Sequence, residues 1–190
     1  MILESPRLKD FSREAIFGAA PFLEEITPFN RDISGIPIIY QGNFNTCVSA
    51  TITWIQQFQE KQVGEAIDLA HEWLAMISNT SERGATPSQC LEPARTKGIL
   101  PQNKWSQDLR GSDLMFAFEE ATKHRITNYF FINDLSKNGL YHAMKDGPIG
   151  VGVRNFRGIG AHFLAAHNVS EDKQSLVCVN WHREDVQDIV

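Results

Sequence analysis

The chain changes character once along its length, and that change restricts its fold more than any single motif. From Val48 to about Gln62 the apolar residues Val48, Ile52, Ile55 and Phe58 recur at spacings of three and four, one buried stripe of a helix. The same rhythm runs from Glu65 to about Ile77, through Ile67, Leu69, Ala70, Trp73, Leu74 and Ile77, and again from Ser112 to about His124. Between them Pro87 opens a helix over Ser88 to about Lys97, and Gly98 ends it as a left-handed cap. After His124 the apolar residues gather into short runs separated by turns: Ile126–Ile132, Ile149–Val153, His162–Asn168 and Leu176–Trp181, with a helical hairpin over Ser136–Lys145 among them. Helices first and antiparallel strands afterwards predict an α+β chain with a helical lobe and a sheet lobe.

With 190 residues, 42% of them hydrophobic and 22% charged, the chain has the composition to build a sizeable core. A net charge of -5, with no basic tract long enough to follow a phosphate backbone, argues against a nucleic-acid partner. No run approaches the roughly 18 uninterrupted apolar residues of a membrane span, and the start MILESPRLKD lacks the charged-then-apolar order of a secretory signal. Neither a membrane nor signal-directed secretion is therefore expected. The three cysteines, Cys47, Cys90 and Cys178, are an odd, widely spaced set with no C-x-x-C pair, which points away from zinc and towards a reducing compartment. Residues 1–27 read as an arm ahead of the folded body.

The segment Gln41-Gly42-Asn43-Phe44-Asn45-Thr46-Cys47 sets Cys47 where a loop meets a helix. A cysteine attacks as thiolate, so a reactive site must hold its pKa below a reference of roughly 8.5 with a helix N-terminus, a cationic His, or both. The unpaired N–H groups that open the helix supply the first condition. The second needs a His from far along the chain. His162 follows the tight turn Gly158-Ile159-Gly160-Ala161 and heads a strand, which favours it over His167 and His182. A five-residue step reverses the face of a strand, so His162 and His167 do not share a cleft. His182 reads as a surface residue nearby. Cys90 and Cys178 read as core thiols, and Trp54, Trp73, Trp105, Phe116, Phe118, Phe130 and Phe131 as core aromatics.

These residues resemble the papain-like cysteine peptidases. The run Pro37-Ile38-Ile39-Tyr40-Gln41-Gly42-Asn43-Phe44-Asn45-Thr46-Cys47-Val48-Ser49-Ala50 is similar to that family's nucleophile region, in which a Gln stands six residues before the Cys and a Gly follows the Gln. Gly84-Ala85-Thr86-Pro87 resembles the glycine-containing strand that pairs with the substrate backbone, and Gly147-Pro148-Ile149-Gly150-Val151 the family's Gly-Pro-hydrophobic strand. His162-Phe163-Leu164-Ala165-Ala166 resembles the strand bearing the catalytic His, and Val177-Cys178-Val179-Asn180-Trp181 the one bearing the Asn that orients it. The landmarks fall in the family's order over about residues 28 to 182.

The resemblance implies a papain-like α+β fold over residues 28–190, with a helical lobe at about 40–125, a sheet lobe at about 126–190 plus the arm, and the active cleft between them. It implies acyl transfer with no metal and no cofactor: Cys47 as nucleophile, His162 as general acid and base, Asn180 orienting the imidazole, and Gln41 with the Cys47 N–H in the oxyanion hole. Gly84 and Ala85 would bind an extended peptide or protein substrate.

The chain departs from the family at four places. Val48 replaces the aromatic residue after the nucleophile, Asn180-Trp181-His182-Arg183 replaces Asn-Ser-Trp-Gly, and Ala85 adds a methyl where the family has the second Gly of a pair. Only ten residues follow Asn180, where family members continue through further strands. A minimal sheet lobe, or one completed by a precursor or a partner chain, is expected. So is control by release from a precursor or polyprotein, in a bacterial cytoplasm or a viral or phage setting. Two other readings fit the same residues: a thiol-dependent acyltransferase or transamidase, in which an amine replaces water, and an inactive relative of the fold serving as a binding or structural module.

Overall fold

The computed structural model describes residues 26–29, 31–64, 67–154, 156–158, 160–181 and 187–189. Most of the expected arm, together with His182, lies outside the described residues. Helix α1 spans Cys47–Val63 and every residue from Val48 to Phe58 is buried, so it is surrounded on all sides rather than along one stripe. Burying a helix all round costs free energy unless most of its polar side chains find partners. Ser49 donates to the Thr46 carbonyl, and Gln57 donates to the Pro37 carbonyl while its Oε1 accepts the Leu69 N–H at 2.8 Å. Gln57 thus stitches two flanking segments to the central helix.

Helix α2 is shorter than the periodicity predicts, His71–Ile77. Glu65 and Ala66 lie outside the described residues; from Ile67 to Ala70 the chain is extended. Leu69 bridges Pro101, the Ala70 N–H bonds the Leu100 carbonyl at 2.8 Å and the Gln102 N–H bonds the Asp68 carbonyl at 2.8 Å. Those cross-chain bonds use the backbone groups an earlier helix start would need. Helix α3, Pro87–Thr96, opens on a capping box between Thr86 and Gln89, with Pro87 where its missing N–H costs nothing. It closes where the Pro93 carbonyl accepts both Lys97 and Gly98 N–H groups, and Gly98 turns left-handed at φ 83°.

Helix α4, Gly111–Ala121, continues as a 3₁₀ turn over Thr122–His124, and α5, Lys137–Met144, is a single helix capped by Ser136. Ten residues are too few for the helical hairpin the sequence suggested there. Ile126–Ile132 also differs from expectation: it belongs to none of the sheet's strands. The Ile126 N–H bonds the Ala94 carbonyl at 3.3 Å, Ile126 packs in the core under α3, and Phe130 and Ile132 pack against the core beneath the sheet. Its apolar content joins two cores instead of building a strand. Phe116 and Phe131, expected inside, are exposed, whereas Trp54 and Trp73 are buried.

The strands β1 (Ile149–Val153), β2 (His162–Val169), β3 (Leu176–Val179) and β4 (Gln187–Ile189) form one antiparallel sheet in sequence order. Register pairs Gly152 with Phe163 and Gly150 with Ala165. A Cβ on Gly150 would come within 2.8 Å of the Phe163 ring, so this glycine makes room for that ring and keeps β2 against the helix. Strand β4, which the sequence reading did not include, pairs Ile189 with Val177. One face of the sheet packs on α1 through Ala165 and Val179, and the other packs on α5 through Leu164, Ala166 and Cys178. Helix α1 contributes to the helical core through Val48 and Ile52 and to the helix–sheet core through Ala50, Trp54, Ile55 and Phe58. The first residue of α1 stands at the junction of the two.

Candidate active site

Cys47 is the first residue of α1, partly buried and packed against both of those cores. The loop ahead of it turns at Gly42, whose φ of 61° a side chain would resist, and the Phe44 N–H closes the turn on the Gln41 carbonyl. Burial pushes the Cys47 thiol above its ordinary pKa. The backbone N–H groups of Phe163, Val48 and Cys47 itself pull the other way, as donors directed at developing negative charge do. Phe163 is the residue after His162, so the thiol lies beside the head of β2.

His162 is 5% exposed, and its Nε2 lies 3.0 Å from Asn180 Oδ1. The Asn oxygen accepts only, so Nε2 carries the hydrogen and Nδ1, on the opposite edge of the ring, is the basic nitrogen. The same Oδ1 accepts the Trp181 N–H at 2.7 Å, which holds the Asn180 amide in that orientation. The ring of Phe156 covers the imidazole with centroids 5.0 Å apart. Trp181, by contrast, lies deeper: its indole Nε1–H donates to the Phe163 carbonyl at 2.9 Å and lies 3.0 Å from Thr51 Oγ1. A backbone bond from Gln41 N–H to the Trp181 carbonyl, 2.9 Å, joins the segment ahead of Cys47 to the segment after Asn180.

The Gln41 side chain is buried; its Nε2 donates to the Phe44 carbonyl at 2.7 Å and its Oε1 has no hydrogen-bond partner among the described residues. An amide nitrogen carries two hydrogens, so one remains for a further acceptor. Gly84 is left-handed at φ 88°, and a Cβ there would sit 3.4 Å from the Asn45 carbonyl. Asn45 Nδ2 also donates to the Glu82 carbonyl, which ties the loop carrying Gly84 and Ala85 to the nucleophile loop. Ala85 and Cys47 pack against the same core cluster.

The structure thus brings Cys47, His162, Asn180 and Gln41 into one connected region, with Gly84 and Ala85 at its edge. His167 is on the other face of β2 against Trp54, ring centroids 6.2 Å apart, in keeping with the strand period. Cys90 and Cys178 are fully buried. Among the described residues no group of three His, Cys, Asp or Glu side chains is placed to hold a metal ion, and no helix is long and apolar enough to cross a membrane. Sequence reasoning missed Phe156 and Thr51. Thr51 had a signal, since it lies one turn after Cys47 on the same helix face; Phe156 sits in an irregular turn whose path no pattern gives.

No family model matches the chain, and no curated protein is similar to it in sequence. Solved structures are similar in fold. Xylellain, a cysteine protease from Xylella fastidiosa, superposes with a TM-score of 0.63 at 13% identity, over 83% of this chain and 79% of that one. The Carica candamarcensis cysteine protease CMS1MS2, solved in complex with E-64, gives a TM-score of 0.60 at 14% identity, over 77% and 78%. Digestive procathepsin L 3 of the Tenebrio molitor larval midgut gives 0.63 at 15% identity, over 77% of this chain and 57% of that one. The fold is therefore papain-like, an α+β architecture with helices and an antiparallel sheet.

Proposed function

We propose that this chain is a cysteine-type peptidase that hydrolyses peptide bonds through the Cys47 thiolate. The observation that carries the reading is the 3.0 Å bond from His162 to Asn180, one residue from the Phe163 N–H that faces a thiol at a helix N-terminus. An imidazole whose Nε2–H is held by an amide oxygen offers Nδ1 as base. Burial alone favours the protonated Cys47 thiol. Transfer of that proton to Nδ1 creates a thiolate and an imidazolium that stabilise one another, and the N–H groups around the sulfur favour the charged form.

The substrate lies extended along Gly84 and Ala85 and pairs with the loop backbone as an added strand. The thiolate attacks the carbonyl carbon, and the oxyanion that forms is stabilised by the Cys47 N–H and the second Gln41 amide hydrogen. Loss of one such donor raises a barrier by about 3 kcal/mol. The imidazolium gives its proton to the leaving amine, the C–N bond breaks, and a thioester remains. Water then gives a proton to Nδ1, attacks the thioester carbonyl and releases the acid and the thiolate. Asn180 holds the ring plane through both proton transfers. Peptide junctions within a larger precursor belong to the substrate class.

Cys47→Ala should abolish peptide hydrolysis and labelling by a thiol-reactive epoxide while the thermal unfolding midpoint stays near that of the parent. Hydrolysis that persists in the variant would sink the reading. Product analysis with an added amine separates hydrolysis from transamidation. A second reading, a binding module of the same fold, has one observation in its favour: burial raises the Cys47 thiol instead of lowering it. That reading requires a thiol with no enhanced reactivity at any pH.

A further inference from the structure

Trp181 is fully buried, yet its indole nitrogen is not left to apolar packing. Its Nε1–H points at Thr51 Oγ1, 3.0 Å away, and at the Phe163 carbonyl, 2.9 Å away. Thr51 Oγ1 in turn lies 2.8 Å from the Cys47 carbonyl and 3.0 Å from the same Phe163 carbonyl. Its one hydroxyl hydrogen serves one of these carbonyls, and the indole N–H is shared between the hydroxyl oxygen and the Phe163 carbonyl as a three-centre bond. The cluster therefore touches the backbone of Cys47 on one side and the backbone of the residue after His162 on the other. The Trp181 main chain adds two ties, its N–H on Asn180 Oδ1 and its carbonyl on the Gln41 N–H.

A helix packed on a sheet needs only apolar contact to be stable. Polar groups buried at the seam cost free energy unless paired, and once paired they admit one relative placement where apolar contact would admit several. Ala50, Ile55, Ala165 and Val179 already provide the contact. We infer that Thr51 and Trp181 are positioning residues: they fix the distance and tilt between the helix carrying Cys47 and the strand carrying His162. The inference rests on the reading of Cys47 and His162 as a reacting pair. Proton exchange between sulfur and nitrogen tolerates little misplacement, and a shift of about 1 Å costs about 10²-fold in rate.

Thr51→Val keeps the shape of the side chain and removes the hydroxyl. Both carbonyls keep other donors, the helical Thr51 N–H for Cys47 and the indole N–H for Phe163, so the fold should survive. In the full chain, Thr51→Val should lower kcat by about 10- to 100-fold with KM within about two-fold, and should move the alkylation profile of Cys47 to higher pH. Thr51→Ser, which restores the hydroxyl, should recover most of both. Trp181→Phe, which removes only the N–H donor and some ring area, should lie between. Thr51→Val with wild-type kcat and an unmoved alkylation profile overturns the inference. So does a loss shared equally by Thr51→Val and Thr51→Ser that tracks their melting points, since that is a structural effect alone. If the parent chain hydrolyses no peptide but Thr51→Val still shifts the alkylation profile, the peptidase reading fails and the positioning role stands.

Discussion

His167 and His162 are five residues apart on one strand and face opposite chemistry. His167 is 4% exposed, its two ring nitrogens have no hydrogen-bond partner among the described residues, and Arg31 lies close enough to add repulsion to the cost of burial. Its pKa is lowered from 6.5 to about 4. Between those values the unfolded chain binds more protons than the folded one, so stability falls as pH drops below 6.5 and the loss levels off below about 4, having reached about 3 kcal/mol. His167→Leu should remove that part of the acid sensitivity, measured as urea midpoints at pH 7 and at pH 4; equal pH dependence in both proteins would contradict it. At Gln41, the Ala variant should lower kcat by about 10²-fold with a smaller change in KM, read from initial rates on a peptide substrate; an unchanged kcat would remove Gln41 from the oxyanion site. The sequence made Gln41 and Cys47 legible because they belong to one continuous loop, and the strand period separated His162 from His167. It was silent on Phe156, whose contact with His162 depends on how a turn folds back.

Elements were legible where their end signals are local. Thr86, Pro87 and Gly98 mark the two ends of α3 and the helix stops where they say. Gly98 does more than cap: a Cβ there would lie 1.8 Å from the Ala121 carbonyl, because the end of α4 crosses it at backbone distance. Gly98→Ala should therefore cost about 3 kcal/mol, the left-handed penalty plus a backbone displacement. Gly111 has a φ of 52° and, among the described residues beyond its chain neighbours and its own helix, no atom within 4 Å of its would-be Cβ, so Gly111→Ala should cost only about 1 kcal/mol. Urea unfolding of both variants checks the difference, and equal losses would mean that the contact with α4 is immaterial. The elements misread were those decided by distant partners. The extended start before α2 follows from Leu100, Pro101 and Gln57, and Ile126–Ile132 is divided between α3 and the core beneath the sheet. Neither partner is within reach of a periodicity argument.

In the whole molecule α1 belongs to two cores at once, which makes the helical and sheet parts depend on the same element. Tryptophan fluorescence, with Trp73 in the helical part and Trp54 and Trp181 at the helix–sheet seam, should follow the same single urea transition as far-ultraviolet circular dichroism. Two separated transitions would show that the parts unfold independently. The order of helices then strands was enough to predict an α+β chain with a helical and a sheet lobe, and the resemblance around Cys47, His162 and Asn180 implied its papain-like form, while the seam itself, with Thr51, Trp181 and the Phe163 carbonyl, joins residues over 100 positions apart and left no trace in spacing. The proposed chemistry crosses that seam, from a thiol on the helix to an imidazole on the sheet. Its most direct test is the rate at which iodoacetamide alkylates Cys47 from about pH 5 to about pH 9, in the parent chain and in His162→Ala, resolved from Cys90 and Cys178 by mass spectrometry. A thiolate–imidazolium pair predicts selective modification of Cys47 already at mildly acidic pH in the parent. In the variant burial acts without a counter-charge, and modification should begin only above the ordinary thiol pKa. Identical profiles, with Cys47 unreactive at acidic pH in both proteins, would contradict the pair.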